Sequence, residues 1–267
     1  MVTVEILTIG NEILLGLVAD TNSNYLCRVV RGMGGKVRRI AVVADEIEEI
    51  VRELKASWAR GAQVVFTSGG LGPTDDDLTL EAVAKAAGKR LALEPAAARF
   101  VENKYSDLAA RGHVNSGEMT ESRLKMARMA EGSRPIQNPV GAAPASVLEI
   151  ESRRIVSLPG VPAELEAIVE GPLQNVLAEV FGQGSYRERE VLVDCGDESQ
   201  LAPALRRIAE AHPDVYVKSR ASHFGPDVKF RVLLATTDPS AEEAEARIER
   251  TRKDLVSLIG SRGSANC

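Results

Sequence analysis

Residues 68–77 read Ser68-Gly69-Gly70-Leu71-Gly72-Pro73-Thr74-Asp75-Asp76-Asp77. The β-branched run 63–67 stands before them. Residues 79–87 follow with helical spacing and stop at Gly88. Strand, glycine-rich turn and helix make the repeating unit of a parallel sheet. Two such units stand upstream. Residues 4–9 are apolar and end at Gly10. A helix follows that Asp20 and Thr21 can cap, with Tyr25, Leu26, Val29, Val30 and Met33 on its apolar face and Gly34-Gly35 as its stop. Residues 37–43 form the second strand, closed by Asp45. Ile47, Ile50, Val51, Leu54 and Trp58 then keep helical spacing up to Gly61. The expected fold is α/β, a three-layer, mostly parallel sheet covered on both faces, with right-handed crossovers. Ligands of such sheets sit at the carboxyl ends of the strands, where Gly10, Asp45 and the 69–77 loop all fall.

Downstream, residues 95–130 read as helical, with Pro95 in a first turn, a polar break at 112–117, and a second helix over 119–129. Residues 145–150 and 154–158 read as a hairpin, and a further helix starts near Pro162. Gly182-Gln183-Gly184-Ser185 reads as a linker. Beyond it the order changes to βαββα: strand 191–194, helix 198–211, strands 215–219 and 228–235, helix 241–259. The expectation is two domains, 1–181 and a small α+β domain at 186–260, with a frayed tail at 261–267.

Composition removes several classes of function. With 267 residues there is room for one large domain or two modest ones. A net charge of −5 leaves no global basic field to draw in nucleic acid or an anionic membrane. No apolar run approaches a membrane span, and the start lacks the basic head and apolar core of a signal peptide, so the expected location is cytoplasmic. Cys27, Cys195 and Cys267 are far apart and odd in number, which excludes a disulfide framework and a paired-cysteine zinc site. The histidines 113, 212 and 223 are scattered. Cys27 reads as core, Cys195 as a strand end, and His223-Phe224-Gly225-Pro226 as a loop. The chemistry must come from carboxylates, glycines and amides.

Glycines let the turn approach a ligand closely, and successive free N–H groups at a helix N-terminus form an anion nest. The alternative is a plain tight turn. Asp75, Asp76 and Asp77 read either as helix caps or as ligands for a divalent cation shared with a phosphate. One Asp would suffice for capping, whereas three adjacent ones repel each other unless a cation intervenes. No Gly-Lys-Ser/Thr follows, so this is not a Walker A loop. Asp45 reads as a cap for the next helix, as a metal ligand, or as a base for water. Glu12 reads as a solvated acid or as an acceptor for ribose hydroxyls or metal-bound water. Asn22 reads as a first-turn residue or as a ligand-reading amide. Arg123, Lys125 and Arg128 read as a solvated face or as a reach toward substrate phosphate. The methionines 119, 126 and 129 read as packing. From 197 to 231 there are six basic against five acidic residues and no Gly-x-x-Gly clamp, which argues against an RNA groove in the second domain.

Five ordered motifs resemble the N-terminal region of the CinA (competence-damage-inducible) family: 9–16, 20–22, the turn 68–79, Asn138 with 141–144, and 158–164. That region is similar to the molybdopterin-binding fold of MogA, MoaB and MoeA proteins. The resemblance covers about residues 3–180, and the second domain is similar to the small middle domain of CinA proteins. It implies metal-dependent hydrolysis of the pyrophosphate bond of ADP-ribose or a related nucleotide, with molybdopterin binding as the alternative. It also implies a phosphorylated small-molecule ligand, Mg, Mn or Co as cofactor, and a homo-oligomer. Asp76 and Asp77 match the family's acidic pair, here metal ligands and catalytic, and Asp45 its strand-end acid. Gly69, Gly70 and Gly72 match its phosphate turn, flanked by Ser68 and Thr74. Gly10, Glu12 and Asn22 match the first ligand loops, and Asn138 the later one. Asp75 stands where many relatives have a neutral or His residue, and Ala143-Pro144-Ala145 replaces a pattern usually ending in Pro-Gly. The chain stops near where longer members add a nicotinamide mononucleotide deamidase domain, so that activity is not expected.

Overall fold

The computed structural model describes residues 1–182, 184–194, 198–221 and 229–260. Cys195, the 222–228 loop and the 261–267 tail read from sequence lie outside these residues. The chain divides into two compact units, Met1–Arg31 with Gly35–Phe181, and Gly32–Gly34 with Gly182–Cys267.

The first unit opens with β1 (Thr3–Ile9), α1 (Asn11–Leu14), α2 (Thr21–Gly32), β2 (Lys36–Val43), α3 (Ile47–Ala59), β3 (Val64–Ser68) and α4 (Thr79–Ala86). It continues with β4 (Leu91–Leu93), α5 (Pro95–Ala110), α6 (Glu121–Lys125), β5 (Arg128–Ala130), β6 (Arg134–Ile136), β7 (Ala145–Ile150), β8 (Arg153–Leu158), α7 (Pro162–Glu170) and α8 (Gln174–Phe181). The main sheet has the order β2-β1-β3-β8-β7-β6. Its first four strands are parallel. The β7–β8 hairpin and β6 add an antiparallel edge.

Strand pleating explains the layers. Leu7, Ile9, Val65, Leu148 and Ile155 pack against Ile50, Leu54, Ala82 and Val83 from α3 and α4. Ile6, Phe66 and Val156 pair across neighbouring strands and are buried on the opposite face. With both faces covered, the central strands read as continuous apolar runs, and that made them legible.

One element differs from expectation. Residues 119–129 are not a single helix. They form α6 and then β5, which pairs antiparallel with β4. Met126, Ala127 and Met129 are buried in a satellite cluster with Leu71, Leu80, Ala97 and Val101. A few buried apolar residues around the part-exposed Arg128 carry no period that separates strand from helix. The methionines serve packing, as read. β6 contains Pro135 and lies at the sheet edge, where a missing N–H is tolerated.

The second unit is β9 (Ser185–Asp194), α9 (Glu198–Ala211), β10 (Tyr216–Ala221), β11 (Lys229–Asp238) and α10 (Ala241–Gly260). Its antiparallel sheet runs β10-β11-β9. Phe230, Val232 and Leu234 pack with Leu201, Ile208, Ile248 and Leu255. The βαββα order is the one read from sequence. Among the described residues, no helix is long and apolar enough to cross a membrane.

At the amino end of β1, Glu5 is 2% exposed and takes a forked grip from Arg60, with Nε at 3.0 Å and Nη2 at 2.6 Å. Burial pushes its carboxyl up, and the bonds from Arg60 and Ser57 overturn that and hold it below the usual range. Arg60→Ala leaves a buried charge unpaired and is expected to cost about 3 kcal/mol, the low end for a broken buried pair because Arg60 is partly exposed. Urea unfolding checks it. A depressed carboxyl stabilises above its unfolded value and loses that contribution as pH falls through the folded one. Arg60→Ala should therefore flatten the acid limb of the stability curve.

Candidate functional site

The turn after β3 is forced by its surroundings. Gly69 has φ +105° and Gly70 φ +67°. A Cβ on Gly69 would lie 2.1 Å from the Ile9 carbonyl oxygen, and one on Gly70 2.4 Å from Thr79 Oγ1. The Gly69 N–H donates to Leu158 O at 3.0 Å, joining the ends of β3 and β8. Thr79 closes the turn from the other side, its N–H donating to Gly70 O at 3.1 Å and its hydroxyl to Gly69 O at 2.8 Å. The N–H groups of Gly70, Leu71 and Gly72 are left without a partner among the described residues. Leu71 is 3% exposed, so an unpaired amide there is costly unless a ligand takes it. α4 adds an N-terminus with no side-chain cap.

Gly70, Leu71 and Gly72 line a cavity of about 610 Å³. Glu12, Asp45, Asp76 and Asp77 line it too, together with Gly10, Gly69 and Gly160. Five carboxylates, these four and Glu164, thus share a space with three free amides. Asp45 does not cap α3, whose cap Glu46 makes no side-chain bond. Its Oδ2 instead accepts the Asn11 N–H at 2.7 Å, fixing α1 to the end of β2. Burial raises the Asp45 carboxyl above its usual range. The Asn11 N–H opposes this, and the charges of Glu12, Asp76 and Asp77 reinforce it. Asp77 Oδ2 accepts from the Thr74 N–H at 2.9 Å and its hydroxyl at 2.5 Å. The Thr74 hydroxyl, with Asp76's own N–H, also holds the Asp76 carboxyl below its usual range. Lys125 Nζ donates to Thr74 O. Among the described residues, no three His, Cys, Asp or Glu side chains form a ready-made metal cage.

Of the residues singled out in the sequence, Gly10, Glu12, Asp45, Gly69, Gly70, Gly72, Asp76 and Asp77 meet in the cavity. Asn22, Ser68 and Asn138 are buried and do not line it, and neither does the exposed Thr74. Asn22 Nδ2 donates to Ser68 Oγ at 2.9 Å and Gly160 O at 2.8 Å, bracing β3 against the loop after β8. Asp20 takes the Ser23 N–H at 2.9 Å as the cap of α2. Asn138 Nδ2 donates to Ala143 O and Glu164 Oε2, and its Oδ1 accepts the Val140 and Gly141 N–H groups. The basic trio is engaged within the protein. The Arg123 guanidinium lies 3.8 Å from the Tyr105 ring centroid, and Arg128 pairs with Glu121.

Tyr105 and Glu164, to which sequence reasoning gave no role, also line the cavity, as does Met126, which it read as packing. Only Glu164 carried a usable signal. It follows Pro159-Gly160-Val161-Pro162 at the carboxyl end of a strand, the same rule that found the glycine turn.

Comparison with known proteins places this geometry. Residues 5–179 match the family model described as a probable molybdopterin binding domain. A protein of Pyrobaculum calidifontis is 39% identical over 265 residues, covering 99% of this chain and 98% of that one. One from Aeropyrum pernix is 40% identical over 261 residues, covering 96% and 94%. A crystal structure of the protein CinA, of unknown function, from Thermoplasma acidophilum superposes with TM-score 0.59 at 34% identity. It covers 66% of this chain and 97% of that one.

Proposed function

We propose, since this chain belongs to the molybdopterin-binding domain family and to its CinA-like members, that its first unit hydrolyses the pyrophosphate bond of ADP-ribose or a related nucleotide with a divalent cation. The observation that carries this reading is the meeting of three unpaired backbone amides with five carboxylates in one cavity. Successive free backbone amides favour a phosphate, and the acids repel it unless a cation stands between them. The donor set fits such an ion. Asp77 has one oxygen committed to Thr74, and no cage of three acids exists among the described residues. Mg²⁺-like ions are held in this way by one or two carboxylates, with waters and substrate phosphates completing the shell. Asp76 and Asp77 are the proposed holders, and the ion would supply charge neutralisation and a more acidic water.

The chain's own residues do the rest. The amides of Gly70, Leu71 and Gly72 hold one phosphate and orient the bridge. Asp45, fixed by Asn11 and raised by burial and by its acidic neighbours, orients the attacking water and accepts its proton. Water adds to one phosphorus, the bridging oxygen leaves with the other, and the products are AMP and a sugar phosphate. Purified protein incubated with ADP-ribose and Mg²⁺, Mn²⁺ or Co²⁺ in parallel is expected to release AMP with at least one metal and none after chelation. Absence of AMP with all three defeats the reading.

The family description supports a second reading, in which the same amides hold the terminal phosphate of molybdopterin. Tight binding of molybdopterin, with no AMP released from ADP-ribose, would select it.

A further inference from the structure

Glu164 stands in the first turn of α7, four residues past Gly160, whose backbone packs against Gly69 with 3.3 Å between its ideal Cβ position and Gly69 Cα. A glutamate there, half-exposed on a helix start, would ordinarily be mobile. This one is clamped. Asn138 Nδ2 donates to its Oε2 at 2.7 Å. Asn138 is itself fixed by Ala143 O at 3.0 Å and by the N–H groups of Val140 and Gly141 at 3.0 and 2.7 Å. All its donors and acceptors serve this one arrangement. Gly141 completes the clamp. A Cβ at that position would lie 2.1 Å from Glu164 Oε2, so the carboxylate occupies space that only glycine leaves open. The other oxygen, Oε1, has no protein partner among the described residues, and Glu164 lines the cavity.

A fixed carboxylate with a free oxygen rejects phosphate and accepts from hydroxyl or N–H donors. We propose that Glu164 is a specificity residue that accepts hydrogen bonds from the vicinal hydroxyls of a sugar attached to the phosphate on the glycine turn. The inference rests on the phosphate-site reading above and deepens it by assigning the substrate class to ribonucleotides rather than deoxyribonucleotides. Of the other carboxylates in the cavity, Asp76 and Asp77 are assigned to the cation and Asp45 to the attacking water, whereas Glu164 comes from α7.

The experiment is calorimetric titration of AMP, 2′-deoxy-AMP and 3′-deoxy-AMP, with Mn²⁺ present, into the whole protein and its Glu164→Gln and Gly141→Ala variants. The unaltered protein is expected to bind AMP about tenfold more tightly than at least one deoxy analogue, in line with losing a hydrogen bond to a charged group. Glu164→Gln should shrink that ratio to within about twofold. Gly141→Ala displaces the carboxylate without changing it and should do the same, so a folding defect confined to one variant does not decide the matter. Equal affinity for all three ligands, or a preference that survives both substitutions in folded protein, overturns the proposal. A Glu164-dependent preference in protein that fails to hydrolyse ADP-ribose upholds the sugar subsite and removes only the reaction. Hydrolysis without any preference does the reverse.

Discussion

Asp45→Asn is expected to lower ADP-ribose turnover by about a hundredfold or more while making the metal-free protein more stable. The loss of rate follows from removing the proton acceptor and the charge that orients water, a role typically contributing 10²- to 10⁴-fold. The gain in stability follows from the raised carboxyl. Burial comes first among the causes, and the charges of Glu12, Asp76 and Asp77 add to it. An acid whose folded value lies above its unfolded one favours the fold while protonated. It disfavours the fold increasingly as pH rises from the unfolded value through the folded one. At neutral pH the ionised Asp45 is therefore a local cost. Asparagine removes that cost and can still accept the Asn11 N–H through Oδ1. Thermal unfolding in chelator should show Asp45→Asn melting above the unaltered protein at pH 7, with the gap closing toward pH 4. A variant that keeps full turnover, or that melts lower across the range, contradicts the assignment. Such a trade of stability for function is common at active sites.

Gly69→Ala is expected to be the most damaging single methyl in the molecule. Its φ of +105° is strained for alanine, and the added carbon would meet the Ile9 carbonyl oxygen at 2.1 Å. Neither neighbour is a side chain that can swing away. Ile9 belongs to β1, and the Gly160 backbone packs on the other side of Gly69. Relief requires the ends of β1, β3 and β8 to separate, which breaks the Gly69–Leu158 bond and redirects the free amides. The expected cost is on the order of 4 kcal/mol, at the exceptional end for single substitutions, with phosphate-ligand affinity lost in whatever folded protein remains. Gly88→Ala makes a useful comparison. Gly88 also has positive φ, at +64°, but nothing lies within 4 Å of its Cβ position, so only the conformational strain remains. Similar damage from both substitutions would show that the crowding of strand ends is unimportant.

Much of this site was legible because it rests on backbone rules. Buried parallel strands announce themselves as apolar runs, and the ends of those runs fixed Gly10, Asp45 and the 69–77 loop before any contact was known. The acids were legible as a cluster, though not their division of labour. Asp45 ties down α1 rather than capping α3, and Asp77 folds back on Thr74. The Asp45 contact depends on short α1, a four-residue helix with no period to read. The roles of Asn22 and Asn138 were hidden for a different reason. Asn22 reaches Ser68 and Gly160, 46 and 138 residues away, and Asn138 reaches Glu164, 26 residues away. No local pattern encodes such contacts. The β4–β5 pair was missed because strands of three residues are too short to show alternation.

The dependence of ligand and cation on one another is the central claim, and titration of a non-hydrolysable methylene analogue of ADP-ribose with and without Mn²⁺ tests it most directly. Carboxylates beside a polyanion should make binding weak in chelator and at least about tenfold tighter with Mn²⁺. By reciprocity the analogue must tighten Mn²⁺ binding by the same factor. An analogue affinity that is the same with and without the metal would contradict the claim.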